Sequence, residues 1–286
     1  MYKFEFFMPT KVLFGAGQLS NLHLEKMPGK KALIVTSNGS STKKFGYLAA
    51  VERELDLAGV DHVLFDEVRP NPTNHNVMDG AKKARENGCD FVVALGGGSV
   101  MDCSKCIGLM MVNDGDLWDY AFSRNGGKKP FVNPMAPLVA ITTSAGTGSE
   151  VDMFSVISND EKEEKTGVFD PTMFPTISVV DSDLMMSVPP KFTAYQGMDA
   201  FFHAAESVIN TKEHPMGEMF ALKAIELIAE AVGKSTNPAN YLLAQKYIQM
   251  MQELAEGDKT KTVYLPYEAT NLLGSIGGIK DLFKAE

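Results

Sequence analysis

The chain has 286 residues, 44% of them hydrophobic and 22% charged, with a formal net charge of -9. That is the composition of a globular protein long enough for two lobes, and an acidic balance gives no electrostatic reason to bind nucleic acid or an anionic membrane. Cys89, Cys103 and Cys106 are too few for a disulfide framework and suit a reducing compartment. No stretch reaches the roughly 18 apolar residues of a membrane span, and the opening MYKFEFFMPT lacks the layout of a signal peptide. A cytoplasmic protein is the expectation.

In chain order, Ala32–Val35, Val63–Phe65, Phe91–Leu95, Leu138–Ile141 and Ile177–Val180 are short runs rich in Val and Ile. They do not alternate with polar residues, as expected of strands buried on both faces of a parallel sheet. Helices fall between them. One carries Phe45, Leu48, Val51 and Leu55 and stops at Gly59; the next spans residues 74–87 and stops at Gly88. After about Pro190 the strand runs cease. Met198–Ile209, Met216–Val232 and Tyr241–Leu254 read as helices, the second with Phe220, Ala224, Leu227, Ile228 and Ala231 on one face. The expected fold class is α/β, a wound parallel-sheet domain over residues 1–189, followed by an all-helical domain over 190–286 with Pro189-Pro190 at the boundary.

Two loops bear on chemistry. VALGGGSVMD (residues 93–102) runs from an expected strand into three glycines, then Ser99 and Asp102. Ser99 has the position and chemistry of a helix N-cap. A helix starting there aims free N–H groups and the positive end of its dipole at the loop, and missing side chains let a pyrophosphate approach the backbone. The same residues also suit a tight strand-to-helix turn without a ligand. ITTSAGTGSE (141–150) leaves the end of another apolar run with five hydroxyls and two glycines. Two polar loops at carboxyl ends of strands favour a ligand site over plain turns. The loop after the run Ala32–Val35, VTSNGSSTKK (35–44), contains no acid and two lysines. An acid there binds ribose hydroxyls and repels a 2′-phosphate, so NADP(H) is expected to bind in preference to NAD(H), unless the loop only caps the next helix.

Asp199 and His203, four apart, share one face of the expected helix. They are chemically suited to a divalent metal, although such a pair is more often simply hydrogen-bonded.

FGAGQL near the start, RPNPT at 69–73, GGGSVMDCSK at 96–105, TTSAGTGSE at 142–150 and GMDAFFHAAE at 197–206, in order over residues 1–232, resemble the iron-containing (group III) alcohol dehydrogenases, with the butanol dehydrogenase-like members nearest. The resemblance implies a metal-dependent NAD(P)-linked alcohol dehydrogenase or aldehyde reductase acting on a small alcohol or aldehyde, working as a homodimer. It also implies roles for particular residues. Gly97, Gly98, Ser99 and Asp102 would hold pyrophosphate and ribose. Thr142, Thr143, Thr147 and Asn71 would line the cofactor, with Lys105 supplying positive charge on that side. Asp199 and His203 would be the catalytic metal site, holding Fe²⁺ or Zn²⁺. The family's two further metal histidines have no counterpart. The chain's histidines are His23, His62, His75, His203 and His214, and the context of His214, KEHPMGE, does not match. The chain thus resembles a family member with a deletion between roughly Gly233 and Asn237, with Glu206 and Glu213 as substitute ligands. A catalytically impaired nucleotide-binding relative with a degenerate metal site is the alternative, and a different phosphate-binding module is a third reading.

CSKC at 103–106 allows a redox pair, half a zinc site, or two small residues packing a helix, of which packing is the expectation. Packing is likewise expected for Trp118 and most of the methionines. Phe154, Phe201 and Phe202 are candidates for an apolar substrate wall.

Overall fold

The computed structural model describes residues 3–211 and 214–233. The chain divides into compact units Met1–Ile228 and Ala229–Glu286; of the second only the last residues of a helix are described. The expected helix Tyr241–Leu254 and the candidate ligand Glu213 lie outside the described residues.

The first unit is built on a six-stranded parallel sheet, with strands β1 (Lys11–Phe14), β2 (Lys31–Ser37), β3 (Asp61–Val68), β4 (Phe91–Gly96), β5 (Leu138–Thr142) and β8 (Ile177–Val180). Their order is β1-β8-β5-β4-β2-β3. β6 (Phe154–Asn159) and β7 (Glu164–Phe169) form a separate antiparallel hairpin. The helices are α1 (Ser41–Lys44), α2 (Tyr47–Leu57), α3 (Asn74–Glu86), α4 (Gly98–Val112), α5 (Pro190–Ile209) and α6 (Pro215–Gly233).

The apolar runs are continuous because each central strand feeds two cores. Leu33, Val35, Val92 and Ala94 pack on one face with Val77 and Ala81 of α3 and Met101 and Ile107 of α4. Ala32, Ile34, Val93, Leu95, Val139 and Ile141 pack on the other with Val51 and Leu55 of α2. All five expected strands form. β1 and the β6–β7 hairpin were not expected. β1 is short and lies at the sheet's end, with Val12 and Phe14 exposed.

Helix boundaries follow local chemistry. Thr73 caps α3, its Oγ1 accepting from Asn76 N at 3.4 Å while Asn76 Oδ1 accepts from Thr73 N at 3.3 Å. After α3 the chain turns at Gly88 with φ +65°, a conformation that favours glycine. α5 begins at Pro190, eight residues before the expected start, because a proline suits a first helical position.

Candidate functional site

β4 and β5 are adjacent, with Gly96 opposite Thr142. The two polar loops therefore leave neighbouring strands on the same edge of the sheet. Thr143 N donates to Gly96 O at 3.0 Å and fastens one loop to the other. α4 begins at Gly98 with Gly97 as its N-cap and no side chain capping it. The expectation that Ser99 is the cap is corrected: Ser99 is the second residue of the helix, where its hydroxyl instead accepts from Asn71 N at 3.4 Å. An end without a side-chain cap leaves first-turn N–H groups free for an anion.

The glycines have a second, structural reason. A Cβ on Gly97 would lie 2.7 Å from Ser144 Oγ, and one on Gly98 would lie 2.8 Å from Thr147 Cγ2. The glycine turn is thus covered closely by the TTSAGTGSE loop. That loop in turn meets α5. A Cβ on Gly146 would lie 2.7 Å from Gln196 O and 2.9 Å from Asp199 Oδ2. Ala145 N donates to Gln196 Oε1 at 3.1 Å, and His203 Nδ1 is 3.1 Å from Gly146 O. Gln196, Asp199 and His203 follow a spacing of three and four, so one helix face presents all of them to the loop.

The residues proposed for the cofactor gather at this edge. Gly97, Gly98 and Ser99 are half-buried, as is Thr143; Thr147 is exposed. Thr142 is buried, and its hydroxyl donates to Ser144 O at 2.7 Å, shaping the loop from within. Asn71 adopts φ +56° on the connection from β3 to α3, and its Oδ1 accepts from Lys165 Nζ at 2.8 Å. Lys165 brings a cation beside Asn71 and was not read from the sequence, where it sits among the charges of EKEEKTG.

Asp102 is turned toward its own chain. Oδ1 accepts from Ser149 Oγ at 2.7 Å, and Oδ2 accepts from Val156 N at 2.8 Å. Burial raises its carboxyl above the ordinary range, opposed by those two hydrogen bonds. Burial likewise raises Glu150. Lys105 is fully buried, with Ser149, Asp152 and Phe154 around its ammonium, so it presents no charge on the surface of the cofactor side.

Asp199 Oδ1 and His203 Nε2 are 3.9 Å apart and both side chains are about half exposed. A tetrahedral ion with donors at about 2.1 Å would separate two ligand atoms by about 3.4 Å, so a small adjustment would let both bind one ion. Two donors do not complete a site. Among the described residues no group of three or more His, Cys, Asp or Glu could hold a metal. Glu206 is exposed and joins no such group. The other histidines are engaged elsewhere: His23 with Glu54, His62 with Asp56, His75 with Glu161, and His214 with Glu5 O.

Cys103 and Cys106 are buried, and burial pushes both thiols up, Cys106 to about 12. A thiol held protonated is a poor nucleophile, so CSKC packs α4. Trp118 is buried and its Nε1 donates to Glu164 Oε2 at 3.1 Å. Phe201 is buried on the inner side of α5, whereas Phe154 is exposed and stacks on Phe169 at 4.9 Å. No helix among the described residues is long and apolar enough to cross a membrane.

The family described as iron-containing alcohol dehydrogenase matches residues 9–182, and the family of its C-terminal part matches residues 193–257. The chain is 36% identical over 254 residues to a 1,3-propanediol dehydrogenase of Citrobacter freundii, covering 88% of this chain and 64% of that protein. It is 36% identical over 234 residues to an NADPH-dependent butanol dehydrogenase of Clostridium saccharobutylicum, covering 80% and 58%. An archaeal halo-thermophilic alcohol dehydrogenase from a Red Sea brine pool superposes with a TM-score of 0.76 at 35% identity, covering 89% and 63%. The chain spans less than two thirds of the length of each of these relatives.

Proposed function

We propose, from the premise that this chain belongs to the iron-containing alcohol dehydrogenase family, that it passes hydride between a nicotinamide dinucleotide and a small alcohol or aldehyde. The observation that carries this reading is the convergence of the glycine turn, the TTSAGTGSE loop and the Asp199/His203 face of α5 on one edge of the sheet. The free N–H groups at the start of α4 suit a pyrophosphate, with Asn71, Ser99, Thr143 and Thr147 around it. Asp199 and His203 offer two donors to a divalent ion, Fe²⁺ or Zn²⁺. Such an ion, when bound, acts as a Lewis acid on a substrate oxygen. The Gly146 carbonyl beside His203 Nδ1 leaves Nε2 facing Asp199, which suits imidazole ligation through Nε2.

NADP(H) is the proposed preference, since the loop from Val35 to Lys44 contains no acid. Lys43 pairs with Asp66 and lowers that carboxyl's pKa, so Lys44 is the loop's remaining cation for a 2′-phosphate. A homodimer in the cytoplasm completes the proposal.

A second reading, a nucleotide-binding relative with an impaired metal site, is favoured by one observation: the described residues gather two metal donors and no third. One experiment separates the two. Protein supplied anaerobically with Fe²⁺ or Zn²⁺ is mixed with NADPH and a short-chain aldehyde, and absorbance of the reduced nicotinamide is followed. Metal-dependent loss of signal that disappears in Asp199→Ala supports the enzyme. NADPH binding without turnover supports the impaired relative, and no binding of either nucleotide rejects both.

A further inference from the structure

We propose that Lys105 is a positioning residue, locking residues 143–156 over the glycine turn in the arrangement that receives the dinucleotide. The proposal rests on the dinucleotide reading above.

Lys105 lies two turns into α4 with no exposed surface. An ammonium has three donors, and all three are used: Ser149 Oγ at 2.9 Å, Asp152 Oδ1 at 2.6 Å and Phe154 O at 2.7 Å. Ser149 passes the connection on to Asp102, one turn earlier in α4, through its 2.7 Å hydrogen bond. Asp102 also accepts from Val156 N, and its backbone carbonyl accepts from Ser155 Oγ at 2.5 Å. Two side chains of one helix therefore hold the far end of the loop at Ser149, Asp152, Phe154 and Val156. The near end is held at Thr143 by Gly96 O. Between these anchors lie Ser144, Gly146 and Thr147, which cover Gly97 and Gly98 and support His203.

Removing the ammonium alone carries a stability cost, because it leaves Asp152 without its cation and Ser149 Oγ and Phe154 O without a donor; Asp152 is 42% exposed and can turn to water. What the ammonium adds is direction. Three acceptors from three separate residues fix the loop's path, and an apolar side chain cannot do that.

The test is Lys105→Met in the full chain, read by thermal unfolding, by fluorescence titration with NADPH and NADH, and by amide hydrogen exchange over residues 143–156 without ligand. The expected result is a cooperative fold with a lowered melting temperature, faster exchange in that segment, and dinucleotide affinity reduced by roughly 10- to 100-fold, the equivalent of one or two lost hydrogen bonds. Asp152→Asn keeps an acceptor for the ammonium but removes its counter-ion, so it should produce part of the same loss with a smaller fall in melting temperature than Lys105→Met, and it carries the test if Lys105→Met does not fold. Leu55→Ala, in the core on the opposite face of the sheet, is the control for general destabilisation and should leave affinity unchanged. Wild-type affinity in either loop variant overturns the proposal, as does a loss that Leu55→Ala reproduces. If the wild-type protein binds neither nucleotide, the dinucleotide reading fails, and this proposal falls with it before any variant is made.

Discussion

At Gly98 the space for a side chain is already occupied. A Cβ there would meet Thr147 Cγ2 at 2.8 Å, with Thr147 Oγ1 at 3.2 Å and Cβ at 3.3 Å. The backbone is not the obstacle, since residue 98 is helical and alanine is favoured over glycine in a helix by about 1 kcal/mol. Gly98→Ala should therefore leave unfolding free energy within about 1 kcal/mol of wild type while pushing the TTSAGTGSE loop off the turn. Dinucleotide affinity is expected to fall by about tenfold, the equivalent of one lost hydrogen bond. Thr147→Ser removes the nearest atom and should restore part of that affinity in the double variant. Fluorescence titration beside urea unfolding checks this. Undiminished binding by Gly98→Ala would mean that the close cover of the turn has no part in holding the cofactor. The sequence points to three glycines and to a ligand as the reason for them. It does not reveal that a second loop occupies the space, because that contact joins residues about fifty positions apart.

The central elements are the part of the fold most legible in the chain. Val, Ile and Leu runs without polar alternation are what strands facing two cores require, and all five form. β6 and β7 escaped notice for the opposite reason. FSVISN and EKTGVF mix polar with apolar residues and form no apolar run, and Ser155 and Asn159 are buried with hydrogen bonds rather than in apolar packing. At the start of α4 the structure departs from the sequence expectation: Ser99 has the chemistry of a cap, yet among α1 to α5 the side-chain cap belongs to α3, where Thr73 and Asn76 form a reciprocal pair. The two helices predict different responses. Thr73→Ala should cost about 1 kcal/mol in urea unfolding, the ordinary value of an N-cap hydroxyl. Ser99→Ala should cost less than about 0.5 kcal/mol, since its hydroxyl bonds only to Asn71 N, at 3.4 Å. Equal costs would show that Ser99 supports its helix after all.

For the whole molecule, the distribution of exposed apolar groups matters more than any one contact. Phe192, Tyr195 and Met198 on α5 and Met219, Phe220, Leu222 and Leu227 on α6 are exposed, as is Phe14 on β1, an end strand of the main sheet. Scattered exposed leucines are ordinary on a soluble protein. Large apolar side chains repeated along two helices, together with an end strand carrying Val12 and Phe14, form the kind of surface that associates. The chain should therefore self-associate, and the homodimer proposed here should appear in sedimentation velocity across a range of protein concentrations. Because the attraction is apolar, raising salt should not dissociate it, whereas an assembly held by surface ion pairs would weaken as they are screened. Two charged substitutions separate the candidate surfaces. Leu222→Lys with Leu227→Lys should dissociate the assembly if α6 forms the contact, and Phe14→Lys should do so if strand pairing at β1 forms it. A wild-type protein that sediments as a single monomer at every concentration would reject the dimer, leaving the exposed side chains of α5 and α6 without a partner in a second copy of the chain.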